Sequence, residues 1–188
     1  MLSNRAPLIL LSLTPLLLLH AGCAPRGPEP EVVEFVEVDR YVGLWREIAS
    51  NPVFFNQNLV AVTAEYEIIG PGRISVLNKG RVGNPQGPKR SISGSARVVD
   101  EETNAKLKVQ FDTFWGSFFE GDYWIVLLDD EAYQYAVVTD PRQRSLFVLY
   151  REPVMPKQLY DDILDKLQAR AINTSHLRVT GELGTDSE

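Results

Sequence analysis

The chain has 188 residues, 44% of them hydrophobic, and carries a net charge of −6. That length suits a single domain, and the apolar content is ordinary for a packed fold. The acidic balance argues against nucleic acid, which is held mainly by Lys and Arg on phosphates, and against a broad basic face for anionic lipid headgroups; the charges are interspersed, as on a solvated surface.

Residues 1–22 read as an export signal rather than as part of the fold. Arg5 supplies a positive start, and Leu8 to Leu19 is an uncharged apolar run interrupted by Pro15. The run is too short for a membrane span of roughly 20 residues. It closes on Leu19-His20-Ala21-Gly22-Cys23, which resembles the lipobox of bacterial lipoproteins, although His20 stands where that pattern usually has Leu. The resemblance implies a diacylglyceryl thioether on Cys23 and an acylated amine. Cys23 is the one cysteine of the chain, so an intrachain disulfide is ruled out and lipidation would consume the thiol. Several acyl chains hold a protein on a bilayer where one is marginal. Ala24, not Asp, follows the cysteine, and by the same resemblance the destination is the outer membrane, with the barrel facing the periplasm.

Pro25 to Glu31 holds three prolines and no large apolar side chain, the composition of an extended tether. We expect the lipidated N-terminus and tether to occupy residues 23–34, with folded structure beginning near Val32. From Tyr41 onward, short β-branched and aromatic runs alternate with turn signals. Strands are expected over Trp45–Ser50, Ala61–Ile68, Arg73–Val82, Arg90–Val99, Lys106–Asp112, Tyr123–Leu128, Tyr133–Thr139 and Ser145–Arg151. The breaks are Gly70-Pro71-Gly72, residues 83–88, residues 101–104 and Asp140-Pro141-Arg142-Gln143, all with turn chemistry. Eight strands with short links suit an antiparallel up-and-down barrel, whose closure removes exposed edges.

Leu107, Val109 and Phe111 alternate with Lys106, Lys108 and Gln110, the period of a half-buried strand. The runs Tyr123–Leu128 and Leu146–Tyr150 are apolar on both faces and need an outer cover. One is available. Over residues 156–171, Leu159, Ile163, Leu167 and Ala171 recur every four residues beside Tyr160 and Leu164, opposite Asp161, Asp162, Asp165 and Lys166. This is an amphipathic helix begun by Pro156, and its acidic polar face favours packing on the barrel over membrane binding. Residues 181–188 read as a disordered tail. The fold class is thus all-β with one C-terminal helix.

Three segments in order resemble the lipocalin family. Asp39-x-Tyr41-x-Gly43-x-Trp45 looks like its G-x-W signature; Asp130 to Ala136 loosely resembles the second block; and Arg151, closing the last strand, fits the third. Val62-Thr-Ala-Glu-Tyr66, Leu77-Asn-Lys-Gly80 and Asn104 to Val109 resemble the bacterial outer-membrane members and their apolipoprotein D relatives. The likeness covers about residues 35 to 180. It departs after the fifth strand, where residues 114–121 lack the Phe-x-x-Pro-Phe-like turn of relatives, so the ligand entrance is expected to differ.

The resemblance implies a barrel floored by Trp45, with Gly43 allowing close backbone approach and Arg151 laid over the indole; without it, Arg151 reads as a surface charge. With Trp45 and Arg151 phased inward, alternation assigns the lining: Glu47, Ala49, Val62, Ala64, Tyr66, Val76, Asn78, Ile92, Gly94, Ala96, Leu107, Val109, Phe111, Tyr123, Ile125, Tyr135, Val137, Phe147 and Leu149. Alternation does not separate a cavity from a packed core; the family supplies that step. The implied ligand is a fatty acid or lysophospholipid, its headgroup near the mouth. Asn78, Tyr66 and Tyr123 are candidate hydrogen-bond partners, and Glu47 would repel a carboxylate. Phe54, Phe55, Trp115, Phe118 and Phe119 fall at the rim as candidate membrane or partner contacts.

After residue 22 the chain holds one histidine, His176, and no thiol free of lipid. A His/Cys metal cluster is excluded, and no nucleophile elbow or phosphate loop appears, so no cofactor, metal or catalytic residue is assigned. A lipid carrier leads. A filled barrel acting as an envelope interaction module, and an isomerase or de-epoxidase on the same frame, are the alternatives. Monomer and homodimer both stay open.

Overall fold

The β-branched and aromatic runs form eight strands in chain order. They are β1 (Gly43–Ser50), β2 (Leu59–Gly70), β3 (Arg73–Val82), β4 (Lys89–Val98), β5 (Lys106–Phe111), β6 (Glu120–Leu128), β7 (Tyr135–Thr139) and β8 (Leu146–Tyr150). The computed structural model describes residues 29–51, 56–112 and 120–185. Each strand pairs antiparallel with the next, and β8 returns to β1, Glu47 opposite Leu149 and Ser50 opposite Phe147. The expected eight-stranded barrel is present. Its strand bounds agree with the sequence reading to within about three residues, β3 without any difference.

The two faces of the wall build two cores. Inside lie Trp45, Ala64, Tyr66, Ile74, Val76, Ala96, Leu107, Val109, Ile125, Ala136, Val138 and Leu149. Outside, Ile48, Ala49, Val126, Leu127, Val137, Leu146 and Val148 are covered by α2 (Lys157–Ala169) through Tyr160, Ile163 and Leu167. The two strands that read as apolar on both faces are therefore those beneath the helix. The helix stops short of Ala171, which takes a left-handed conformation (φ 56°) and leaves Ile172 to pack instead.

Short elements escaped the pattern. A single turn, α1 (Val38–Tyr41), precedes β1; β9 (Val154–Met155) pairs parallel with β11 (Glu182–Leu183); and β10 (Arg178–Val179) joins the barrel on β1. The pairing of Glu182–Leu183 corrects the expectation of a disordered tail from 181, for the described part of that segment. The start of the domain overlaps the end of the expected tether. Pro30 and Val36 are buried, the Val33 amide donates to the Ile125 carbonyl at 3.0 Å, and the Val36 amide donates to the Thr103 carbonyl at 2.8 Å. The last residues of the expected tether are therefore docked across the closed end. The apolar side chains of Val32, Val33 and Val36 supply the reason.

Candidate ligand cavity

The floor is built from the motif that carried the resemblance. Trp45 is fully buried, its indole N–H donating to the Tyr41 carbonyl at 2.7 Å. The Arg151 guanidinium lies 3.7 Å from the indole centroid. Its Nη1 donates to Leu44 O at 2.9 Å, its Nη2 faces the carbonyls of Arg40, Tyr41 and Val42 at 2.8–3.1 Å, and its Nε donates to Tyr133 O at 3.3 Å. Gly43 sits at φ +96°, and a Cβ there would stand 3.4 Å from Arg151 Nη1. The left-handed backbone demands glycine, whereas the contact with Arg151 is of ordinary van der Waals length.

Above this floor the inward side chains leave a cavity of about 940 Å³, toward the upper end of the roughly 300–1,000 Å³ usual for small-molecule sites. Seven of the nine assigned ligand-binding residues line it: Glu47, Tyr66, Asn78, Val109, Phe111, Tyr123 and Phe147. Val62, Ala64, Val76, Ile92, Ala96, Leu107 and Leu149 do so as well. Gly94 has a different role from opening space. A Cβ on it would fall 2.3 Å from Gln110 O, so the glycine lets β4 and β5 approach.

Ala49 and Tyr135 are corrections. A bulge between Glu47 and Ala49 in the β1–β8 pairing turns Ala49 outward, where it packs under α2. Tyr133 takes φ 55° in the turn before β7, which breaks the alternation. Tyr133 therefore joins the inner core, while Tyr135 faces the helix and accepts a hydrogen bond from Lys166 Nζ at 3.0 Å. Val137 follows Tyr135 outward, and Ala136 and Val138 take the inner positions. The phase shift is one residue, which in a strand exchanges the two faces.

The polar groups of the cavity form two sets. Tyr41 and Tyr123 share a hydrogen bond of 2.7 Å between hydroxyls, and Tyr66 and Tyr123 share one of 3.2 Å. Burial pushes all three phenols up, Tyr66 to about 12, so they stay protonated at any physiological pH. Glu47, 5% exposed, accepts at Oε1 from Ser50 Oγ (2.7 Å) and Thr180 Oγ1 (2.8 Å). Asn56 Nδ2 donates in turn to Ser50 Oγ at 3.0 Å. Burial raises the Glu47 carboxyl above its ordinary range against the opposing pull of those hydroxyls and of Arg178. The side-chain oxygen of Asn78 is buried with no hydrogen-bond partner among the described residues.

Tyr41, Ser50, Asn56 and Thr180 were not assigned to the site from sequence. Tyr41 stood inside the quoted signature, so its signal was available. Thr180 had none: it reaches Glu47 because the β1–β2 pairing ends at Arg46 opposite Thr63, and β10 pairs with Ala49 and Ser50 beyond it. At the rim, Asp140 accepts from the amides of Arg142, Arg144 and Ser145 and from the Ser145 hydroxyl at 2.7–2.9 Å, pinning the turn between β7 and β8. The expected rim aromatics Phe54, Phe55, Trp115, Phe118 and Phe119 lie outside the described residues, as do Cys23 and the export signal.

A closed barrel, plugged at one end, hollow above and braced by one helix, defines a class of small-ligand-holding β-barrels. A lipocalin-like domain model matches residues 36–182, and the chain belongs to the lipocalin family. It is 34% identical over 156 residues to the outer membrane lipoprotein Blc of Vibrio cholerae, covering 83% of this chain and 88% of that one. With mouse apolipoprotein D the identity is 29% over 168 residues, covering 87% and 84% of the two chains. Among solved structures, insecticyanin of the tobacco hornworm superposes with a TM-score of 0.65 at 18% identity, over 85% of this chain and 86% of that one; this last likeness concerns fold alone.

Proposed function

We propose that this lipocalin is a lipid carrier of the cell envelope, tied to the outer membrane through acyl chains on Cys23 and holding a fatty acid or lysophospholipid in its barrel. The observation that carries the reading is the cavity of about 940 Å³ above Trp45, with Ile74, Val76, Ala96, Leu107, Val109, Phe111 and Phe147 in its wall. An apolar chamber of that size with a few placed polar groups is the usual form of a small-molecule site, and a hydrocarbon chain gains about 0.8 kcal/mol per buried CH₂. The outer-membrane location is supported by the Vibrio cholerae relative, which is named an outer membrane lipoprotein. No described helix is long and apolar enough to cross a bilayer. We read the protein as a carrier rather than a catalyst, and as able to act as a monomer or homodimer.

Two experiments test the reading. Organic extraction of the purified protein followed by mass spectrometry should release a long-chain lipid, and titration with lysophospholipid should change the tryptophan emission. An empty barrel that fails to respond would refute the carrier role. Separately, Cys23→Ala should move the protein from the membrane to the soluble fraction; unchanged fractionation would refute the anchor.

A further inference from the structure

The unmet polar groups of the cavity are concentrated at its deep end. Three phenols meet there, and their two mutual contacts use two of the three phenolic protons. The third O–H has no acceptor among the described residues. Asn78, opposite Ala64 on β2, is the diagonal neighbour of Tyr66, a separation of about 7–8 Å on one face of a sheet. Its buried oxygen lacks a donor. A spare donor and a spare acceptor thus share the lower chamber, directly above Tyr41 and Trp45, whose ring centroids are 5.2 Å apart.

The rim is different. Arg90, Arg144 and Gln57 are exposed there, while Asp140 and Asn56 are buried but already hydrogen-bonded. The upper wall between rim and polar base includes Leu59, Val62, Val82 and Ile92. A methyl-ended tail pushed to the bottom would seal off the third phenolic proton and the Asn78 oxygen without replacing their missing partners. An oxygen head would satisfy both.

We infer that the ligand binds head first, an uncharged oxygen head that both donates and accepts, a hydroxyl or a protonated carboxyl, seated against the Tyr41–Tyr66–Tyr123 cluster and Asn78, with its hydrocarbon tail running up to the mouth. The head is uncharged because the floor offers no free cation among the described residues. The Arg151 guanidinium lies beneath Trp45, committed to backbone carbonyls, while Glu47 sits in the same wall and presents an acidic group. This reverses the head-at-mouth arrangement expected from sequence. It rests on the carrier reading and narrows its ligand to the fatty acid, because the head of a lysophospholipid is charged.

The test uses the full mature chain with Trp115→Phe and Trp124→Phe, which leaves Trp45 as the one tryptophan of the three. Stearic acid carrying a nitroxide at carbon 5 or at carbon 16 is titrated at pH 5.5, and quenching of Trp45 is compared at saturation. The inference expects the carbon-5 label to quench at least about twofold more, since it lies nearer the floor; equal quenching, or stronger quenching by the carbon-16 label, would overturn it while leaving the carrier reading intact. Failure of both probes to bind would remove both readings. Should the double variant not fold, the unaltered protein serves for a second measurement. Dodecanol should bind up to about tenfold tighter than its methyl ether, whose oxygen can accept from the phenols but cannot donate to Asn78, and Asn78→Leu should erase that preference. Equal affinities of the unaltered protein for alcohol and ether would refute the head-first arrangement.

Discussion

Replacing Arg151 by Met keeps much of the aliphatic stem while removing the guanidinium, and the geometry allows the cost to be worked out. The cation faces five backbone carbonyls, three of them from Nη2 alone. Because Nη2 has two protons, no more than two of its three contacts are good at once, so about four effective bonds are lost. Bonds to a charged donor contribute roughly 1.5–3 kcal/mol each, and the stacking on Trp45 adds about 0.5–2 kcal/mol. Against this stand the desolvation of the cation and about 2 kcal/mol of side-chain entropy regained on unfolding. The net expectation is a destabilisation of about 3–5 kcal/mol. Arg151→Lys should recover part of it, because an ammonium is a point donor that cannot fork across carbonyls from both β1 and the turn before β7. Urea unfolding followed by tryptophan emission measures both variants, with stability read from the midpoint at unchanged slope. A shift below about 1 kcal/mol for Arg151→Met, or a lysine variant equal to the parent, would show that the floor does not depend on this residue.

Glu47→Gln keeps an acceptor for Ser50 and Thr180 but removes the titration. Since burial raises the Glu47 pKa in the fold, its favourable contribution is complete below the unfolded value and lost as pH rises through the folded one. The variant should therefore gain on the parent in thermal melts as pH increases and lose the advantage in acid; a pH-independent difference would refute the buried-acid account. Leu167→Ala empties a fully buried position between helix and barrel and should cost about 2–5 kcal/mol in urea unfolding, with ligand affinity nearly unchanged because the residue lies outside the cavity. Gly94→Ala places a methyl 2.3 Å from Gln110 O, and the forced separation of β4 and β5 should cost about 1–3 kcal/mol; unchanged stability would show that the strands can part freely.

The barrel was legible because each strand carries its own evidence. Leu107, Val109 and Phe111 alternate without interruption, β5 has no bulge, and all three line the cavity as read. The errors fall where local backbone resets the count. Ala49 lies just past a bulge, and Tyr135 just past a left-handed Tyr133. Neither Glu47-Ile48-Ala49 nor Tyr133-Gln134-Tyr135 contains a glycine or proline to announce the change. Unbroken alternation along the seventh strand placed Tyr135 in the lining, whereas its ring braces Lys166 of α2. The tyrosine cluster escaped for another reason. Tyr66 and Tyr123 were each assigned inward, but their meeting with Tyr41 depends on α1 folding under the barrel, and no periodicity encodes a contact between residues 82 positions apart.

The site is also less local than a strand-by-strand reading suggests. Glu47 belongs to β1, yet one of the two hydroxyls holding its carboxyl comes from Thr180, 133 residues later. That contact exists because β2 leaves β1 after Arg46, and β10 takes the vacated edge opposite Ala49 and Ser50. The Thr180 and Gly181 amides both donate to Ile48 O, and a Cβ on Gly181 would lie 2.6 Å from Glu47 O. The end of the chain is thus clamped on the bulged stretch of β1 that turns Ala49 toward the helix and Glu47 toward the cavity. Trimming the chain before Arg178 would free the β1 edge and leave Glu47 with Ser50 alone. It follows that the C-terminal segment positions a cavity residue, Glu47, although it does not itself line the cavity.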